Sequence, residues 1–150
     1  MSTARKNLKI VSLVAFLVAV GYMLVAFDFL GIGFFGGVNA DALLAMGIDM
    51  PTQTVGVMLD LVAATMAILF CVVAVLGLSA ANVPSKIGKT VVVTLVAMVL
   101  SAVTVVLWAL QLSADLVSVV CGVVAIAGLL VATAAVFFAR SVRKEHEAWH

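Results

Sequence analysis

The chain has little charge. Only 10% of its residues are Asp, Glu, Lys or Arg, whereas 66% are hydrophobic and the mean hydropathy is +1.36. In soluble domains about a quarter of the residues are charged. This shortage excludes an ordinary soluble domain and predicts an all-α integral membrane protein. The 150 residues form a single domain, because four spans of about 20 residues each already use more than half of that length.

Histidine is absent from the apolar segments, since His146 and His150 both lie in the C-terminal tail. No imidazole is therefore available within a membrane to bind haem or relay protons. Two histidines four residues apart make only a weak metal site. Cys71 and Cys121 lie at depths that differ by about 15 Å of helix rise, beyond disulfide reach, so we expect small hydrophobic fillers. These absences predict no metal and no cofactor.

Catalytic patterns are also missing. The sequence has no Gly-x-Ser-x-Gly elbow, no phosphate loop and no paired carboxylates on one helix turn. Without a nucleophile and base that could act together, we expect no enzyme activity. The sequence also has no Asn-x-Ser/Thr sequon, which favours a bacterial inner membrane. The expected partners are the lipid bilayer and a second copy or a larger membrane complex, and not nucleic acid.

Four apolar runs are present, and we predict that each is a transmembrane helix. They cover residues of about 10–30, 54–79, 90–112 and 116–139, and the polar tail 140–150 follows them. A cleaved signal peptide is the alternative for the first run, but signal h-regions are usually about 7 to 15 residues, which is shorter. The third and fourth runs are so close together that they must form antiparallel neighbours.

The connection between the first two runs, residues 31–53, is rich in glycine and phenylalanine. We expect it to lie in the membrane interface. Asn39 or Asp41 can cap a short helix that Gly47 ends, and Pro51 suits the first turn of the next span. This pattern predicts a short interfacial helix in the first outer loop.

The positive charges predict the topology. All eight Lys and Arg fall into three groups, which are Arg5, Lys6 and Lys9; Lys86 and Lys89; and Arg140, Arg143 and Lys144. With four spans, these three groups lie on one side of the membrane. The positive-inside rule then places the N- and C-termini in the cytoplasm.

A polar stripe runs along the third span. Residues three and four apart are Thr90, Thr94, Ala97, Ser101, Thr104, Trp108, Gln111 and Asp115, and the residues between them from Val91 to Leu112 are Val, Leu, Met or Ala. A helix with its polar groups on one edge turns that edge toward protein and the rest toward lipid.

The other three spans repeat this spacing with small residues. An alternation of three and four residues keeps one edge facing a partner along a left-handed supercoil, and small side chains let backbones approach closely. We therefore predict a four-transmembrane-helix antiparallel left-handed bundle. The expected helix-packing residues are Gly56, Ala63, Ala67, Ala97, Ser101, Ala125, Gly128 and Ala132.

Asp60 is the most suggestive single residue. It lies roughly 8 to 12 Å below the outer surface by helix rise, and no Lys or Arg is available in that half of the membrane. An unpaired carboxylate there is costly. Tyr22, Trp108 and Gln111 supply donors at matching depth, so these four residues form a candidate polar intramembrane site. In one interpretation these residues form hydrogen bonds that hold the helices together. In the other, the Asp60 carboxyl binds protons or cations.

Two functions remain open from the sequence. The leading one is a membrane component without intrinsic catalysis, which acts as a structural or accessory subunit or as a homo-oligomer. The alternative is a small transporter or channel with a proton- or cation-binding carboxyl at Asp60.

Overall fold

The structure is a computed structural model that describes residues 2–29, 45, 47, 52–110 and 116–148; side chains are described for 2–24, 45, 47, 58, 61–107, 109 and 122–148. Four long helices account for almost all of it. They are α1 (Thr3–Phe29), α2 (Thr52–Asn82), α3 (Ile87–Leu110) and α4 (Leu116–Ala148), and a short 3-10 turn, Pro84–Lys86, precedes α3. Four segments of 22 to 27 residues, one for each long helix, are long and apolar enough to span a membrane; the third, Pro84–Leu107, includes the 3-10 turn.

The helices extend beyond the apolar runs. α1 begins at Thr3, well before the predicted span, because Ser2 caps it: the Arg5 N–H donates a 3.3 Å hydrogen bond to the Ser2 hydroxyl. α4 continues through the polar tail to Ala148. Since helical hydrogen bonds form within the segment itself, a helix need not end where the apolar sequence ends.

The connection between α2 and α3 is tight. Val83 has φ −126° and ψ 89°, which is the extended conformation favoured for the residue before a proline. Its N–H still donates to the Ser79 carbonyl at 2.8 Å, and Lys86 N–H donates to the Val83 carbonyl at 3.1 Å. The chain therefore reverses direction within a few residues.

The contacts fix the relative directions of the helices. Ser12 lies against Gly77 and Tyr22 against Phe70, so α1 and α2 run antiparallel. α1 and α4 are also antiparallel, because Ser2 contacts Glu145 while Tyr22 contacts Gly128. α3 packs along both α2 and α4.

The core contains large side chains such as Leu8, Tyr22 and Phe70, but most of it is made up of small and hydroxyl side chains from all four helices. The latter are at most 2% exposed, and they are Ser12, Ala15, Ala19, Ala63, Ala67, Ala74, Ala80, Ala81, Thr90, Thr94, Ala97, Ser101, Thr104, Ala125, Ala132, Ala135 and Ala139. Gly56 lies in α2, but its burial is outside what the structure describes. The polar stripe of α3 thus faces the other helices as far as the structure describes it.

The outward faces carry large apolar side chains. Leu17 is 71% exposed, Leu130 66% and Phe137 65%. A soluble protein rarely leaves a continuous apolar exterior in water. The exterior is therefore that expected of helices that lie in hydrocarbon.

Cys71 corrects one expectation. It does not fill space in the core, since its side chain is exposed. Phe70 occupies the inward position beside it, and the next residue of a helix points about 100° away. Cys121 lies outside the described side chains.

In the first outer loop the structure describes two residues. Ala45 is helical, and Gly47 lies in a turn with φ 74°. This left-handed conformation is the one that a glycine adopts when it ends a helix. The rest of the predicted interfacial helix and Pro51 lie outside the described residues.

Candidate functional site

Of the four residues of the candidate polar site, Tyr22 is the one whose side chain is described. The backbones of Asp60 and Trp108 are helical in α2 and α3, but their side chains and the whole of Gln111 lie outside the described set. The site as a set of four is therefore an expectation from the sequence, and its described part is the surroundings of Tyr22.

Tyr22 is completely buried between three helices. Its ring stacks on Phe70 of α2, with the centroids 5.7 Å apart and the planes 20° from parallel. On the other side it contacts Gly128 of α4 so closely that a β-carbon added to that glycine would lie 3.1 Å from the Tyr22 hydroxyl oxygen and 3.3 Å from Phe70 Cζ. Glycine at 128 thus makes room for the aromatic pair.

The hydroxyl of Tyr22 forms no hydrogen bond within the described part of the protein. An unpaired buried hydroxyl costs free energy, roughly 1 to 3 kcal/mol by mutational measures. The Ser101 hydroxyl on α3 is likewise buried and has no partner there. The described interior therefore contains two hydroxyl groups, one on α1 and one on α3, that could each accept or donate another hydrogen bond.

The sequence predicts that Tyr22 lies at the same depth as Asp60, and the structure places Tyr22 elsewhere along the helices. Tyr22 lies at Phe70, ten residues along α2 from Asp60, which is about 15 Å of helix rise. Side chains on a helix lean toward its N-terminus, which moves the tyrosine tip further from Asp60 in an antiparallel pair. The described contacts therefore do not place Tyr22 beside Asp60.

Most of the buried hydroxyls are used by the backbone. Ser12, Thr94 and Thr104 donate to carbonyl oxygens of their own helices at 2.7 to 2.9 Å. Thr90 instead crosses to α2 and donates to the Leu76 carbonyl at 3.1 Å. Of these four hydrogen bonds, only that of Thr90 connects two helices. The hydroxyls of Thr94 and Thr104 in the α3 stripe donate instead to carbonyls of α3 itself.

The second polar region is the end of the molecule where α1 and α3 begin and α2 and α4 end, which we call the basic end. Here Arg5 Nε donates to the Ala81 carbonyl at 2.6 Å, and Arg5 Nη2 donates to the Asn82 carbonyl at 2.9 Å. These carbonyls belong to the last turn of α2, where no intrahelical donor is available. A cation from α1 therefore caps the C-terminus of α2.

α4 joins the same region through its tail. The Ser2 hydroxyl donates to Glu145 Oε2 at 2.7 Å, and Arg143 pairs with Glu147 at 3.0 Å on the exposed surface of α4. A cavity of about 270 Å³ lies between Arg5, Pro84, Glu145 and His146. This arrangement fixes the position of the N-terminal residues against α2 and α4.

Sequence reasoning missed Arg5 as a cap and Phe70 as the stacking partner of Tyr22. Phe70 could have been found, because it lies in the inward stripe of the second span. The role of Arg5 depends on which residues of α1 and α2 face each other, and helix periodicity carries no information on that. Among the described residues, no three His, Cys, Asp or Glu side chains are grouped so that they could hold a metal ion.

Comparison with known proteins gives no relative. No family model, curated protein or solved structure matches the chain.

Proposed function

We propose that this chain is a small integral membrane protein whose four helices form an antiparallel left-handed bundle, with both termini in the cytoplasm. The apolar exterior and the core of small residues spaced three and four apart support this arrangement. The topology is supported by the basic end, which carries all eight Lys and Arg of the chain. Its lipid environment is that of a bacterial inner membrane.

Within that membrane the protein acts as a component without intrinsic catalysis, either as an accessory subunit of a larger complex or as a homo-oligomer. The observation that carries this proposal is the close packing around Gly128, where Tyr22 and Phe70 leave no room even for a β-carbon at ordinary distance. The interior beside Gly128 therefore has no space for a ligand, which leaves the outer helix faces as the surface for a partner.

The test is extraction in native lipid. We expect the protein to leave the membrane fraction as one assembly of defined mass, which native mass spectrometry measures together with any co-purifying subunit. A monodisperse monomer with no associated protein would contradict the component role. Recovery of the chain in the soluble fraction would contradict membrane insertion itself.

A second candidate is a small transporter or channel with a proton- or cation-binding carboxyl at Asp60. The two buried hydroxyls without described partners, on Tyr22 and Ser101, favour it, because such groups in a membrane interior often bind water or a polar solute. In this alternative they lie on the inner continuation of a path that begins at Asp60.

Two variants separate the candidates. Asp60→Asn keeps the hydrogen-bonding oxygen but not the charge, and Tyr22→Phe removes only the hydroxyl. If the protein is a structural component, we expect both variants to keep the oligomeric mass and the wild-type proton permeability of reconstituted vesicles. A wild-type proton or cation flux that Asp60→Asn abolishes would favour the transporter and contradict the component role.

A further inference from the structure

A cavity lies at the basic end, on the outer surface between the end of α2 and the start of α3. Its volume is about 510 Å³, and its lining combines two lysines, two serines, a leucine and a glycine: Lys86, Lys89, Ser79, Ser85, Leu76 and Gly88. A β-carbon added at Gly88 would meet no atom within 4 Å. The cavity is therefore open space whose lining contains ammonium groups, hydroxyl groups and the apolar side chain of Leu76.

Among the described residues, Lys86 and Lys89 have no counter-charge. Both are exposed, and within the part of the chain that the structure describes neither forms an ion pair or a side-chain hydrogen bond. The hydroxyls of Ser79 and Ser85 are also without partners there. The lining thus offers two ammonium groups and two hydroxyl groups to a ligand, a donor set that suits a phosphate oxygen.

The whole basic end has an excess of positive charge. The segments that meet there contain eight Lys and Arg but only Glu145 and Glu147 as acids, an excess of six positive charges. Glu147 pairs with Arg143, and Glu145 accepts a hydrogen bond from the Ser2 hydroxyl. Neither of these contacts involves Lys86 or Lys89, so both ammonium groups can pair with an external anion.

Exposed valines continue from the cavity along both helices. On α2, Val75 and Val72 lie four and seven residues before Ser79, and on α3, Val92 and Val96 lie three and seven residues after Lys89. Residues at these spacings share one helix face. The four valines are between 40% and 61% exposed. The surface is therefore polar and cationic at the basic end and apolar along the adjoining parts of α2 and α3. A phospholipid has the same order of a polar headgroup followed by apolar acyl chains.

We propose that this cavity binds the headgroup of an anionic phospholipid, with its phosphate at Lys86, Lys89 and Ser85 and its acyl chains along the valines of α2 and α3. Basic pockets between membrane helices on the cytoplasmic side recognise such lipids. The proposal rests on the proposed membrane insertion and on the cytoplasmic position of the basic end. Free phosphate shares the headgroup chemistry, but the apolar track favours the lipid.

The experiment is a lipid titration followed by native mass spectrometry of the full chain in neutral detergent. The probes are phosphatidylglycerol and phosphatidylcholine with identical acyl chains. We expect the wild type to bind phosphatidylglycerol at least tenfold more tightly. Lys86→Gln with Lys89→Gln should weaken phosphatidylglycerol binding by about fivefold for each lysine, or about 25-fold together.

Two further variants keep the test specific. Lys6→Gln with Lys9→Gln removes the same charge from α1, and we expect it to weaken binding by less than about threefold. Gly88→Phe fills the cavity without changing the charge, and we expect it to weaken phosphatidylglycerol binding at least tenfold. Because the position of Gly88 has open space, this variant should retain the melting temperature of the wild type.

Three results would overturn the proposal. Equal losses in the two lysine pairs would mean diffuse attraction to the basic end. Displacement of the lipid by millimolar inorganic phosphate would identify phosphate alone as the ligand. Equal affinity for the two lipids would mean that no headgroup site exists. Membrane fractionation tests the proposed membrane insertion separately. A chain that is found in the membrane fraction but shows no lipid preference contradicts only this inference.

Discussion

The contact between α1 and α2 differs sharply from the contact between α2 and α3. At the first, Gly77 lies directly on Ser12, and the stacked rings of Tyr22 and Phe70 lie further along. At the second, apolar side chains border a cavity of about 280 Å³, which is lined by Leu61, Val62, Thr65, Met66, Leu100, Val103, Thr104 and Leu107. Both contacts involve α2, so the distance between the backbones depends on which helix packs against α2.

The difference shows what small residues do in this protein. Where glycine faces a side chain of the next helix, as at Gly77 and Gly128, the helices contact each other without a gap. Where both faces carry branched side chains, the packing leaves space. Dispersion contacts are lost across such a space, so close packing at the glycines should contribute more to stability than the contact beside the cavity.

The largest effect is expected from Gly128→Leu. A leucine side chain cannot fit where even a β-carbon is crowded by Tyr22 and Phe70, so the helices must separate. We expect the free energy of unfolding to fall by about 3 kcal/mol. Steric trapping in bicelles measures this loss, and Gly88→Leu, where the space is open, is the matched control. Equal stabilities of the two variants would show that α4 does not pack against the aromatic pair.

A somewhat smaller loss is expected from Gly77→Ala. The new β-carbon would overlap the Ser12 hydroxyl oxygen and would lie 3.1 Å from Ser12 Cβ. We expect a loss of about 2 kcal/mol in the same unfolding measurement. Adding Ser12→Ala should recover part of that loss, because it removes the overlapping atom. Additive effects in this double-mutant cycle would contradict the contact.

Arg5→Ala tests the basic end of the α1 and α2 pair. It removes two hydrogen bonds to the last carbonyls of α2, which water can partly replace because this end is partly exposed. We expect a loss of about 1 kcal/mol in the free energy of unfolding. Arg143→Ala, which breaks only an exposed pair on α4, should cost about 0.5 kcal/mol or less. Equal costs would mean that Arg5 does not act as a cap.

The smallest effect is expected at the contact between α2 and α3. Val103→Phe adds a ring at the cavity between α2 and α3, where space is present. We expect the free energy of unfolding to change by about 0.5 kcal/mol or less, because the ring neither clashes nor loses packing. A loss as large as that of Gly77→Ala would show that this contact is closed in the membrane.

Helix periodicity was sufficient to predict which residues of each span point inward. Thr94, Ser101 and Thr104 lie in the core because inward direction depends only on the rotation of about 100° per residue. Periodicity could not give the relative heights of the helices. The opposition of Ser12 and Gly77 depends on where two surfaces fit, and for the same reason the level of Tyr22 could not be read from the apolar runs.

Residue type alone was a poorer guide. Cys71 resembles a core residue by its size and polarity, yet it lies one position away from the inward stripe and is exposed. The candidate site at Asp60 is inferred from the lack of a cation in the outer half of the predicted spans, and the Asp60 side chain lies outside the described set. Its partners therefore stay a prediction.

The length of α4 has a practical consequence. Its 33 residues correspond to about 50 Å, whereas a hydrocarbon layer is about 30 Å thick. Its last turns are held by the bond between Ser2 and Glu145. A soluble domain fused in helical continuity after Ala148 would consequently keep its orientation to the four helices, and it could serve as a fiducial for electron microscopy of so small a protein.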